Sequence, residues 1–69
     1  MNKVKIVVKG MNCNHCKITV EMNLKKIGGI ETAVADIGNG EVLLTGESVD
    51  LDEVQSTLQK IGYTYGGLA

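Results

Sequence analysis

Over the first nine residues apolar side chains fall on alternate positions: Val4, Ile6 and Val8 are separated by Lys3, Lys5, Val7 and Lys9. Alternation sends successive side chains to opposite faces, so the segment is predicted to be a half-buried strand with one wet, lysine-rich face. The period then changes. Gly10 to Asn14 reads as a loop, and from His15 or Cys16 the apolar positions Cys16, Val20, Leu24 and Ile27 recur at the three- and four-residue spacing of a helical stripe. Gly28-Gly29 is the expected stop, because glycine closes a helix in the left-handed conformation without a Cβ clash. Lys25 and Lys26 suit the negative end of the helix dipole.

Ile30 to Ile37 and Glu41 to Thr45 are short stretches rich in Val, Ile, Leu and Thr, joined by Gly38-Asn39-Gly40, which tolerates the backbone of a tight turn. A hairpin is expected. Asp50 is placed to cap a second helix, with Glu53 in the capping-box position and Leu51, Val54, Leu58 and Ile61 as its apolar stripe; Gly62 ends it. Tyr63, Thr64 and Tyr65 favour a last strand, after which Gly66 and Gly67 are expected to loosen the tail. The order is β-α-β-β-α-β. It predicts an α+β split βαβ sandwich in which both helices cover one side of a four-stranded antiparallel sheet.

At 69 residues the chain has the length of a single domain, 1–69, and too little core for a deep catalytic cleft. Apolar residues make up 43% and charged residues 22%, the profile of a chain that folds. Tyr63 and Tyr65 are its only aromatics, Arg is absent, and the net charge is -1, so base stacking and phosphate binding lack their usual groups. Nucleic acid is not an expected partner. No apolar run reaches the length of a signal core or a membrane span, so membrane insertion is not expected and the reading is cytoplasmic.

Cys13 and Cys16 then need a chemical explanation, because in a reducing compartment two such cysteines are more often ligands or redox groups than a structural bridge. A two-residue spacer lets both sulfurs converge, Cys13 from the loop and Cys16 from the first helical turn. The positive end of the dipole and the neighbouring Lys17 should lower the thiol pKa from ~8.5 to roughly 6 to 8. Thiolates select Cu(I), Zn and other soft or borderline ions over Mg or Ca. Structural zinc asks for four ligands, and the chain offers two Cys and one His in the same short spacer. Cu(I) is satisfied by two roughly linear thiolates and stays open to an incoming thiol. Disulfide oxidoreductases share the CxxC spacing, but the thioredoxin-like kind expects an aromatic before the first Cys and a facing proline; Asn12 precedes Cys13 and the chain has no Pro.

Gly-Met-Asn-Cys-Asn-His-Cys at 10–16 resembles the GMxCxxC motif of heavy-metal-associated domains, found in copper chaperones and in the N-terminal modules of copper-transporting P-type ATPases. The likeness extends to Lys-Lys-Ile-Gly-Gly-Ile at 25–30, the Gly-rich hairpin and Ile61-Gly62-Tyr63. It implies a ferredoxin-like βαββαβ fold, Cys13 and Cys16 as ligands of Cu(I), and transfer by ligand exchange between Cys pairs without catalysis. Expected receivers are a copper-transporting P-type ATPase or a copper-responsive repressor. The chain would be monomeric without metal, with a metal-bridged dimer as a further loaded state. A Tyr at the place of Tyr63 lies near the metal loop in bacterial copper chaperones, and a His like His15 is common there. One departure and one further likeness keep other readings open. Gly28 stands where many members have Pro, and Lys17-Ile18-Thr19-Val20 resembles periplasmic mercury-binding proteins, relatives that carry signal peptides. Hg(II) is therefore an alternative ion, and Ag(I) and Zn(II) are further alternatives for the same soft donor pair. An excised transporter module is an alternative context, against which the Met1 start and lone domain count.

Around the pair, Met11 is either a thioether ligand or, the stronger expectation, a lid packed beneath the loop. His15 is expected to point outward rather than ligate. Tyr63 is either an ordinary strand residue or part of the site. Lys17, Lys25 and Lys26 read first as a solvated helix face, and Ile18 with Met22 as either an apolar patch at the transfer surface or packing against the sheet edge.

Overall fold

The computed structural model describes residues 2–69. Its elements are β1 (Asn2–Lys9), α1 (Asn14–Lys25), β2 (Ile30–Asp36), β3 (Glu41–Gly46), α2 (Leu51–Lys60) and β4 (Thr64–Leu68). The strands form one antiparallel sheet in the order β2-β3-β1-β4, so the first strand sits inside and β2 and β4 are the edges. This is the βαββαβ order that the periodicities predict. α1 packs over the β2 side and α2 over the β4 side, leaving the other sheet face, with Lys3, Lys5 and Lys9, open to water.

The core lies between the helices and the inner sheet face. Ile6 and Val8 of β1, Val42 and Leu44 of β3, Val20 and Leu24 of α1, and Val54 and Leu58 of α2 are all fully buried. Each apolar stripe read from the sequence therefore points inward at its central positions, while its outer members, Cys16 and Leu51 in the first turns of α1 and α2 and Ile27 and Ile61 just past their ends, are half-buried at the margin. Burying such aliphatic side chains is the main stabilising term in a chain this small.

Several boundaries differ from the expectation, each for a local reason. α1 begins at Asn14 with Cys13 as its N-cap, one or two residues earlier than the apolar stripe suggests, because a helix starts at its cap rather than at its first buried side chain. It ends at Lys25, before the glycines: the Lys26 and Ile27 N–H groups turn back on Asn23 and Leu24 in tight closing turns. Of the two glycines only Gly29 has positive φ (+93°). There a Cβ would overlap the Ser48 carbonyl oxygen, and a Cβ on Gly46 would overlap the Gly29 carbonyl. Three backbones thus meet where β2 starts and β3 ends, and the Ser48 N–H donates to Gly29 O at 3.3 Å. β2 stops at Asp36 rather than Ile37, since Asp36 holds the turn, accepting from Asn39 N and Nδ2. β3 runs on through Gly46.

Asp50 caps α2 as expected, accepting from the N–H groups of Asp52 (3.0 Å) and Glu53 (3.4 Å). The tail needs a correction: Gly66 and Gly67 belong to β4 instead of loosening the end. Ile6 faces Leu68 while Val8 faces Tyr65, so β4 carries one extra residue there, and Gly67 takes φ +97°. A bulge of this kind uses glycine for its positive φ and lets pairing resume beyond it.

Candidate metal centre

At one end of the sheet, where β1 leaves and β4 enters, the chain from Gly10 to Asn14 bridges β1 and α1. Met11 is 6% exposed and packs into the core beneath this loop, so the lid reading holds and its thioether is turned inward. With that anchor below, Asn12 and Cys13 are pushed to the surface. Cys13, as N-cap, has extended backbone and makes no side-chain capping bond. An N-cap side chain usually spends its acceptor on the first helical N–H groups; here the sulfur remains available.

Cys16 follows within the first turn and is half-buried, and its Sγ lies 3.4 Å from that of Cys13. Both are free thiols. No acidic residue sits in the first turn of α1, so no carboxylate competes for the positive helix end. The Cys16 thiol is lowered to about 7, chiefly by the influence of the Tyr63 hydroxyl on its sulfur, then by the backbone of Asn12 and the Cys13 side chain. A value in the expected range is thus reached mainly by donors aimed at the sulfur, with Lys17 not among the causes. Tyr63 is shifted the other way: next to a forming thiolate, its hydroxyl holds its proton to higher pH.

Tyr63 is delivered by the end of α2. Gly62 (φ +90°) turns the chain, and the Tyr63 N–H donates to Leu58 O at 2.9 Å, which places the half-buried ring over the loop. Gly10 receives it: its φ is +103°, and a Cβ there would stand 3.3 Å from Tyr63 Cδ1. The sequence marks Gly10 as a loop residue and as the first residue of the GMxCxxC-like motif, without giving it a contact. Its position between the last strand residue and the Cys loop is the signal that could have singled it out. His15 is exposed, as anticipated. Among the described residues no cluster of three or more His, Cys, Asp or Glu side chains gathers, so the two sulfurs stand without a further ligand of those types. Ile18 and Met22 are 53% and 57% exposed on the outer side of α1, which decides against their packing under the sheet edge.

An open pair of soft donors on a buried anchor, at the end of a βαββαβ sandwich, defines a class of small metal-binding domain. The sequence model of the heavy-metal-associated domain matches residues 5–64, and the chain belongs to that family. It is 32% identical over 65 residues to the copper chaperone CopZ of Staphylococcus haemolyticus (strain JCSC1435), covering 91% of this chain and 94% of that one. It is 33% identical over 60 residues to CopZ of Staphylococcus saprophyticus subsp. saprophyticus, covering 84% and 88%. Among solved structures, a CopZ metallochaperone superimposes with a TM-score of 0.87 at 29% identity, covering 93% of this chain and 98% of that one. No helix of the described residues is long and apolar enough to cross a membrane.

Proposed function

We propose that residues 1–69 act as one copper chaperone domain, carrying a single Cu(I) as cargo between the sulfurs of Cys13 and Cys16. The observation that carries this is the 3.4 Å approach of two free sulfurs, one exposed and one half-buried, at a helix N-terminus. Two thiolates make a soft, low-coordinate donor set, which suits Cu(I) better than ions that need closed four-ligand cages. Two metal–sulfur bonds of ~2.3 Å over that span make a bent chelate, so a linear seat requires the sulfurs to separate, and exposed Cys13 is the one with room to move. Being a carrier and not an enzyme, the chain needs no further reacting group.

Hand-over follows from the same geometry. The outer side of the ion faces solvent, so a thiolate of a receiving protein can add before one of the chain's own sulfurs leaves, and the ion is never released bare. Cys16 is the sulfur held by Tyr63 and the loop backbone, and Cys13 the one free to let go. The receiver is a copper-transporting P-type ATPase or a copper-responsive repressor in the cytoplasm. Cu(I) competition against a chromophoric chelator, repeated with Zn(II), tests the choice of ion. The chain is expected to withdraw one equivalent of Cu(I) and to keep it in the presence of excess Zn(II); displacement by Zn(II) would overturn the copper reading.

A further inference from the structure

β2 is an edge strand, and one side of it carries N–H and C=O groups that no neighbouring strand takes up. Ala35 stands opposite Val42 of β3, yet its N–H turns away from β3 and donates to the Glu21 carboxylate of α1 at 2.7 Å. In an antiparallel ladder, alternate residues bond to the neighbour and those between them point outward. Ala35 belongs to the outward set, and Ala33, two residues back, shares its phase. Both alanines are buried beneath α1, and their small side chains let the helix lie close enough for Glu21 to reach over the edge.

The middle of this strand carries few defences of its own. Thr32, Ala33, Val34 and Ala35 include no charge and no proline, and Val34 is 55% exposed on the open sheet face. Edge strands usually escape pairing with other chains through lysines, prolines or bulges. Here Glu31 and Asp36 flank the stretch and a register shift lies between Ile30 and Thr32, so the unprotected part is its centre. That is where the side chain from α1 arrives.

We infer that Glu21 guards the β2 edge: its carboxylate occupies the Ala35 N–H and so keeps a second copy of this chain from adding its own β2 alongside. The inference is independent of the metal reading. Any incoming strand needs a carbonyl where the Glu21 oxygen sits, and it must displace a charge-assisted bond to get there. Without Glu21, a short, β-prone, uncharged edge is left bare.

The full chain, metal-free and reduced so that neither a shared ion nor a disulfide can join copies, is compared with E21A, E21D and E21Q by sedimentation velocity and by Ala35 amide exchange. Gln keeps an oxygen at the same reach, Asp falls one methylene short, and Ala has none. In dilute E21A and E21D the Ala35 amide should exchange at least about tenfold faster than in the wild type. Both variants should dimerise on concentration, with that amide protected again, while the wild type and E21Q remain monomeric. Adding V34K to E21A should restore the monomer. E21D, which keeps the helix charge, carries the test if E21A fails to fold. Monomeric E21A and E21D at every concentration would overturn the inference, and so would E21Q dimerising as readily as E21A.

Discussion

A thiol is a useful ligand at neutral pH only when it parts with its proton easily, and at Cys16 the group that arranges this is Tyr63. The hydroxyl stabilises the thiolate and not the thiol, which lowers Cys16 to about 7. Gly10 makes the arrangement possible by offering bare backbone where the ring lies. The sign of the effect sets a prediction. In Y63F the donor is gone, the thiolate loses its main support, and the Cys16 pKa should climb toward the ordinary thiol value of ~8.5. Alkylation of Cys16, followed by mass spectrometry across pH, should show its midpoint moving upward and its rate at pH 7 falling. A midpoint that stays near 7 would remove Tyr63 from the site. Sequence reading could name Cys13 and Cys16 from their spacing alone. Tyr63 enters that reading only through the family likeness, as either a strand residue or part of the site, because it lies far along the chain and no local spacing ties it to Cys16; the turn at Gly62 brings its ring over Gly10 beside the Cys loop.

At the level of elements, what was legible followed from period. The two-residue alternation in β1 and the three- and four-residue stripes of α1 and α2 record which side chains meet the core, and Val20, Leu24, Val54 and Leu58 are all fully buried where the stripes put them. Ends were less legible, since an end is set by backbone contacts rather than by burial. Gly28-Gly29 reads as a helix stop, yet α1 is already closed at Lys25, and the demand for glycine comes from the crossing of Gly29, Gly46 and Ser48. Gly66 and Gly67 read as a loose tail, yet pairing with β1 resumes through a bulge that needs Gly67. The crossing gives a direct check. G46A forces a methyl into the Gly29 carbonyl, so the β2 and β3 ends must part, and stability should drop by about 3 kcal/mol. Urea denaturation would report it as a lower midpoint; an unmoved midpoint would mean that the backbones are not in contact.

For the molecule as a whole, a radius of gyration of 10.4 Å means that six short elements share one core, with no buried polar side chain among the described residues. Such a core is built from aliphatic residues and Met11, whose thioether is turned inward. The candidate site lies at one end, where Met11 anchors the loop, Cys13 is exposed, and Cys16 and Tyr63 are half-buried. Under the proposed function, the two sulfurs at this end are the groups a partner reaches, while the packed core lies below them. The most direct test replaces each sulfur singly. In a Cu(I) titration against a competing chelator, the wild type should bind one ion tightly, and C13S and C16S should each lose that affinity by about a hundredfold or more, as expected when one of two ligands is removed. If either variant holds Cu(I) as tightly as the wild type, the ion does not sit between the two cysteines.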